Sequence, residues 1–121
     1  MHGYSLPRVT DADNALRTSE IQIALRRASE VPLETAEACG ELIELAATVL
    51  ELGNRNAASD AAVAALLAHA GLRCAALSVH TNLRSLRDEP FKSSARARLS
   101  QFQAAGDAAL AKALTAASVG D

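Results

Sequence analysis

One stretch, residues 53–91, constrains the fold more than any other part of this chain. It opens with a Gly-Asn-Arg-Asn turn and then continues as an almost unbroken apolar segment. Ser59 and Asp60 stand where a helix N-cap and a first-turn acid are expected, and no proline follows until Pro90. The sequence therefore predicts a helix over residues 59–87, about 40 Å long at 1.5 Å per residue.

This predicted helix is apolar on nearly every face between residues 61 and 77, so we expect it to stand at the centre of a bundle. Half of the chain is apolar, much of it alanine, and only three residues are aromatic. Small side chains favour helices that approach one another closely. Because the alternating Val/Thr/Tyr runs and Asn-Gly turns of β-structure are missing, the sequence predicts an all-α fold.

Proline and glycine positions predict where the preceding helices begin and end. A first helix is expected over residues 11–29, with Thr10 or Asp11 as its cap. Pro32 should break the helical pattern and start a second helix, because the residue before a proline avoids helical backbone. Gly53 should end that second helix in a left-handed conformation.

The last helix is predicted over residues 89–117. Asp88 is its N-cap, Pro90 lies in its first turn, and Gly106 should weaken its middle. Together with the helix at residues 59–87, these elements give a bundle of about four helices in a single domain, residues 1–121.

Composition narrows the class of protein. The net charge of −2, with acids and bases mixed, gives no general attraction to nucleic acid. Cys39 and Cys74 form no CxxC pair and fall in apolar helical patterns, which favours two buried, reduced thiols over a disulfide. The N-terminus lacks a secretory pattern, and His69, Gly71 and Arg73 interrupt an apolar stretch too short to span a membrane. We therefore expect a cytoplasmic protein that binds neither nucleic acid nor membrane.

Common catalytic motifs are missing from the sequence. Three histidines without paired cysteines or acids make no metal site, so neither a metal nor a cofactor is expected. A stripe of glutamates could bind a cation or a basic partner, although such a stripe is more often a solvated helix face. The stripe consists of Glu34, Glu37, Glu41, Glu44 and Glu51.

The first candidate site is the turn that holds Asn54 and Asn56, together with Ser59 and Asp60. Asparagine tolerates left-handed backbone and bonds to neighbouring amides, so a purely structural turn explains this group as well as a binding site does.

The second candidate is a polar stripe on the otherwise apolar helix. His69, Arg73, His80 and Arg84 follow one another at four, seven and four residues, with Ser78, Asn82 and Ser85 on a neighbouring face. The stripe is either the exposed edge of the helix or a cationic wall that holds a ligand carboxylate through bidentate arginine.

The stretch 53–91 resembles the most recognisable part of the formiminotransferase-cyclodeaminase C-terminal family. The family's G-N-x-N-x-x-S-D-x-x-V-A segment is matched by Gly53, Asn54, Asn56, Ser59, Asp60, Val63 and Ala64, and its N-x-x-x-L-x-D exit by Asn82, Leu86 and Asp88. Upstream, YSLPRV at residues 4–9, Ile21-Gln22-x-Ala24-Leu25 and Val31-Pro32-Leu33 are also similar to the family's patterns.

The resemblance implies a folate one-carbon enzyme that needs no cofactor. It implies either hydrolysis of 5,10-methenyltetrahydrofolate to 10-formyltetrahydrofolate or cyclodeamination of 5-formiminotetrahydrofolate, and it does not separate the two. Asp60 would be the catalytic carboxylate beside the cationic carbon. Substrate binding would fall to Asn54, Asn56, Ser59 and Asn82, with Arg73 and His80 facing the glutamate tail.

Family members also carry a Gly-rich first helix and an acidic segment with a catalytic aspartate, for which residues 1–121 offer no match. We therefore expect this chain to correspond to the C-terminal two-thirds of the family domain. The resemblance further implies a homodimer or higher oligomer with the folate cleft near the subunit interface. The alternative is a non-catalytic folate-binding or assembly subunit that retains the scaffold.

Overall fold

The computed structural model describes residues 10–53 and 55–119, which form three α-helices. These helices are α1 (Asp11–Glu51), α2 (Arg55–Leu83) and α3 (Glu89–Val119). The prediction of an all-α fold is confirmed. The prediction of about four helices is wrong, because the two helices expected before Gly53 are one.

Pro32 lies inside α1 instead of between two helices. A proline has no N–H, so the carbonyl of Ala28, four residues earlier, loses its helical partner. The side chain of Asn82 supplies the missing donor, since its Nδ2 lies 2.9 Å from the Ala28 oxygen. Burial also favours continuation of the helix past Pro32, because Leu33 and Ala36, which follow the proline, are fully buried.

Three of the predicted helix ends are confirmed. Thr10 caps α1, its Oγ1 accepting from the Asp13 amide at 3.0 Å. Gly53 has a left-handed φ of 80° after α1, a conformation that glycine adopts without steric cost. Asp88 caps α3 by accepting from the Phe91 amide at 3.0 Å.

The predicted ends of the 59–87 helix are wrong. The helix begins at Arg55, so Ser59 is not its N-cap, and it ends at Leu83. Ala57 and Ala58 favour helix, which carries the first turn upstream of Ser59. Hydrogen bonds from α1 hold the residues after Leu83 in a turn.

The prediction that α2 is surrounded by other helices is also wrong. Helix α1 packs against both other helices, whereas α2 and α3 contact each other least. One alanine-rich face of α2 is buried, formed by Ala61, Ala65, Ala68, Leu72, Ala75, Ala76, Val79 and Leu83. Val63, Leu67 and Leu77, on its other side, are 50%, 68% and 69% exposed. By length and composition alone, α2 is also the one described helix that could cross a membrane, and 28% of its most apolar window is buried.

Gly106 has a packing role that the sequence does not reveal. It is buried where α3 meets both other helices, and a Cβ at this position would overlap Leu72 and lie 3.4 Å from the Ile43 Cδ1. Glycine lowers the helix propensity at this position, but its lack of a side chain allows α3 to approach the other two helices closely.

Candidate functional site

Two of the matched sequence patterns, the one with Gln22 and the one from Asn82 to Asp88, meet at the end of the bundle where α2 is followed by α3. Gln22 of α1 reaches the turn after Leu83: its Nε2 donates to the Ser85 carbonyl at 3.1 Å, and its Oε1 accepts from the Arg87 amide at 2.8 Å. One side chain thus satisfies two backbone groups of the turn and fixes it against α1.

Arg26, one helical turn after Gln22, contacts the same region. Its guanidinium lies 3.4 Å from the Asp88 carboxylate, 3.6 Å from that of Glu30, and 4.7 Å from the centre of the Phe91 ring. Because both ion pairs are about half exposed, we expect them to add little stability each. The Asp88 carboxylate also caps α3, so this contact links α1 to the start of α3.

A cleft of about 560 Å³ lies beside Pro32, between α1 and α2. It is lined by Ala28, Val31, Pro32, Thr35, Gly71, Cys74, Ala75, Ser78 and Asn82. The predicted grouping of Ser78 and Asn82 on one face is confirmed. Ser85 is instead in the turn after α2. No charged residue lines this cleft, so it offers apolar walls with amide and hydroxyl groups.

The first candidate group occupies the opposite end of α2. Asn54 lies outside the described residues, and Asn56 is exposed in the first turn. Ser59 and Asp60 are exposed in the next turn, and neither side chain is hydrogen-bonded within the described residues. These side chains are accessible to a ligand, and no described contact gives Asp60 a structural role.

The cationic stripe is divided between two environments. Arg73 and His80 line one small cavity of about 130 Å³. The other lining residues are Ala76 and Leu77 of α2 and Gln103 of α3. His69 is mostly buried, and its Nε2 lies 2.7 Å from the Asp107 carboxylate of α3. Arg84 follows the end of α2. The four residues therefore do not form one continuous ligand wall.

The structure also shows the exposure and contacts of the glutamate stripe and of the two cysteines. All five glutamates are exposed, and Glu51 pairs with Lys112 at 3.7 Å. No group of three metal-binding side chains is present among the described residues. Cys39 and Cys74 are free thiols, as predicted, but neither is fully buried: Cys39 is partly buried and Cys74 is exposed.

The candidate residues do not converge on one point within this chain. Asp60 and Asn82 are 22 positions apart on α2, which corresponds to about 33 Å along the helix axis. Both lie on one side of α2, whereas Arg73 and His80 lie about 140–160° around the helix from Asp60.

Sequence reasoning missed the contributions of Gln22 and Pro32. Gln22 fixes the turn after Leu83, and Pro32 leaves the Ala28 carbonyl free to accept a hydrogen bond from Asn82. The sequence did contain a signal for the contribution of Pro32, because a proline within a helical apolar pattern frees a carbonyl that some donor must satisfy.

Comparison with known proteins places these motifs in a family. Residues 1–101 match the family model described as formiminotransferase-cyclodeaminase. The chain is 50% identical over 91 residues to a methenyltetrahydrofolate cyclohydrolase of Methylorubrum extorquens, a match covering 75% of this chain and 44% of the relative. It is 35% identical over 97 residues to a formimidoyltransferase-cyclodeaminase of Rattus norvegicus, covering 80% of this chain and 18% of the relative.

The chain belongs to the formiminotransferase-cyclodeaminase family, whose members include folate one-carbon enzymes. The match spans less than half the length of the cyclohydrolase and less than a fifth of the rat protein.

Proposed function

We propose that this chain acts in folate one-carbon metabolism by hydrolysing 5,10-methenyltetrahydrofolate to 10-formyltetrahydrofolate. The observation that carries the proposal is its 50% identity to a protein named methenyltetrahydrofolate cyclohydrolase. The rat relative, a cyclodeaminase by name, is 35% identical, which favours hydrolysis over cyclodeamination of 5-formiminotetrahydrofolate. A cytoplasmic location is part of the same proposal.

The reaction requires water to attack a cationic carbon and to lose a proton. In the substrate, the methenyl carbon is bonded to two nitrogens and carries positive charge, and water must add to it. The Asp60 carboxylate is exposed, so it can approach this carbon, orient the attacking water and accept a proton from it while one of the two carbon–nitrogen bonds breaks. Asn54, Asn56 and Ser59 supply amide and hydroxyl groups for the edge of the pteridine ring.

The glutamate tail of the substrate needs a cationic partner. Arg73 and His80 share a cavity, and the Arg73 guanidinium can hold a carboxylate through two parallel hydrogen bonds. This cavity lies on the other side of α2 from Asp60. A substrate whose glutamate tail binds in the cavity would therefore be bound elsewhere along the helix, and not beside the Asp60 of the same chain.

Asn82 poses a distance problem for a site within one chain. About 33 Å separates it from Asp60, further than one folate monoglutamate reaches. A site that uses both residues therefore needs two copies of the chain, which supports the proposal of a homodimer or higher oligomer.

The second candidate function is a non-catalytic folate-binding or assembly subunit. The dispersion of the candidate residues along α2 favours it. This subunit would bind folate through the same polar groups without turning it over.

The test is the loss of 5,10-methenyltetrahydrofolate absorbance in the presence of the purified chain. We expect turnover above the buffer rate, and a loss of about 100-fold or more in Asp60→Asn. Glu41→Gln, an exposed acid of α1, is the matched control and should retain the wild-type rate. Binding of folate without hydrolysis above the buffer rate would favour the folate-binding subunit. Absence of both binding and hydrolysis would contradict the enzyme and the folate-binding subunit alike.

A further inference from the structure

Positive charge is concentrated in one part of the chain. The whole chain has a net charge of −2, yet positions 61–87 and 90–106 contain no aspartate or glutamate. The cations between positions 73 and 98 are Arg73, Arg84, Arg87, Lys92, Arg96 and Arg98. Because Asp88 and Glu89 are the only acids in this range, the surface that these residues share attracts anions.

Side chains of α2 and α3 form one groove within this region. Arg73, Leu77 and His80 of α2 and Gln103 of α3 line the cavity of about 130 Å³. Arg96 is exposed and lies seven residues, or about two helical turns, before Gln103, so it is on the same side of α3. These five residues are called here the arginine groove.

The contact of His69 with Asp107 sets the register of the groove. Helices α2 and α3 follow each other after a short turn, and the His69 Nε2 lies 2.7 Å from the Asp107 carboxylate. His80 is eleven residues after His69 and Arg96 is eleven before Asp107, so these two are level with each other. Arg73 is about 10 Å from this level along α2. An elongated anion in the groove can therefore contact both arginines.

The arginines of the groove are not neutralised by acids of the same chain. Neither Arg73 nor Arg96 has an ion pair within the described residues. The acids at the two ends of the groove are already paired, Asp107 with His69 and, at 3.4 Å, Glu89 with Lys92. A guanidinium presents parallel N–H groups that match the two oxygens of a carboxylate, so each arginine can hold one carboxylate of a ligand.

The groove also offers an apolar contact between its charges. Leu77 lies between Arg73 and His80 and is 69% exposed. A peptide that carries both carboxylates and an apolar side chain matches this pattern, and arginine clusters commonly recognise acidic motifs. A nucleic acid fits less well. Single strands bind by stacking on aromatic side chains, and none of the described residues that line the cavity is aromatic.

We propose that the arginine groove binds an acidic peptide segment of a partner protein. Carboxylates of the peptide pair with Arg73 and Arg96, and an apolar side chain of the peptide contacts Leu77. The peptide would compete with the glutamate tail of the substrate for Arg73 and His80. That competition rests on the proposed function, whereas the binding of the peptide does not.

The first experiment measures fluorescence anisotropy of a fluorescein-labelled synthetic peptide made of repeated Glu-Leu-Glu-Glu units. We expect saturable binding that weakens as salt is added, and no binding of the same peptide with glutamine in place of glutamate. Arg96→Gln should raise the Kd about five- to tenfold. Arg98→Gln is the matched control. It makes the same charge change at another exposed position of α3, about 160° around the helix, and should change the Kd less than about twofold.

The second experiment tests the apolar contact with two leucines of α2. Leu77 and Leu67 are 69% and 68% exposed, so both substitutions by glutamine remove a similar accessible surface. Leu77→Gln should weaken binding of the peptide about threefold, because the contact with its leucines is lost. Leu67→Gln, outside the groove, should bind as the wild type does. Circular dichroism verifies that all four variants are helical.

Several results would overturn the proposal. These are the absence of saturable binding, equal effects of Arg96→Gln and Arg98→Gln, or equal effects of the two leucine variants. Binding of single-stranded DNA or inorganic polyphosphate as tight as that of the peptide would assign the groove to phosphate polymers instead. A chain that passes both peptide tests but neither binds nor hydrolyses folate would contradict the proposed function alone.

Discussion

The two ends of α2 carry parts of the same family pattern in opposite environments. At the C-terminal end, Asn82 and the turn that follows are hydrogen-bonded to α1 through Ala28 and Gln22. At the N-terminal end, Ser59 and Asp60 are exposed and have no hydrogen-bonded partner within the described residues.

The difference separates residues that hold the scaffold together from residues whose side chains are accessible to a ligand. The bonds of Asn82 and Asp88 give both a structural purpose, whatever else they contact in a complex. Asp60 has no such contact within the described residues, and an exposed carboxylate adds little stability. Function is therefore best sought first at the Asp60 end.

The largest expected effect on stability is at Asn82. Asn82→Ala leaves the Ala28 carbonyl without its donor and should lower the free energy of unfolding by about 1–1.5 kcal/mol. In a Pro32→Ala background the helix regains its own N–H donor, so the same substitution should cost much less. Urea unfolding of the four proteins, at one protein concentration, measures this coupling. Equal costs in both backgrounds would contradict the role of Pro32.

A smaller effect is expected at the start of α3. Asp88→Ala removes the N-cap and the contact with Arg26, and should lower the free energy of unfolding by about 1 kcal/mol. Glu89→Ala is the control, because it removes a first-turn acid and its pair with Lys92 but neither the cap nor the contact with α1, and it should cost only about 0.5 kcal/mol. If the two variants unfold alike, Asp88 does not tie α3 to α1.

The buried glycines should respond with opposite signs. Gly106→Ala gains about 1 kcal/mol of helix propensity but forces Leu72 to move, so we expect a net loss of roughly 1 kcal/mol. At Gly40→Ala the new Cβ lies 3.9 Å from the Phe102 carbonyl, an ordinary contact, so this variant should be more stable by about 0.5–1 kcal/mol. Thermal unfolding distinguishes the two, and a gain at Gly106 would show that α3 packs less closely.

The sequence predicted local features well where a single residue type decides them. Alanine-rich periodicity indicated helices, and Thr10, Gly53 and Asp88 occupy the ends predicted for them. The break at Pro32 was wrong because its remedy, Asn82, is 50 residues away in sequence. Local rules cannot detect a donor that reaches the proline only after the chain has folded back.

The candidate site was less predictable than the fold. The spacing of His69, Arg73 and His80 placed them near one another along α2, but it could not show that Asp107 of α3 pairs with His69. Likewise, apolar residues all around α2 suggested a surrounded helix, whereas half of that surface faces away from α1 and α3. The periodicity of a sequence shows which sides of a helix are apolar, but it does not show which part of a protein covers them.

The most direct test of the contrast between the two ends is Asp60→Asn, measured for stability and turnover together. We expect its free energy of unfolding to stay within about 0.5 kcal/mol of the wild-type value, while hydrolysis of 5,10-methenyltetrahydrofolate slows by about 100-fold or more. A loss of stability comparable to that of Asn82→Ala, or unchanged turnover, would contradict the assignment of Asp60 to function.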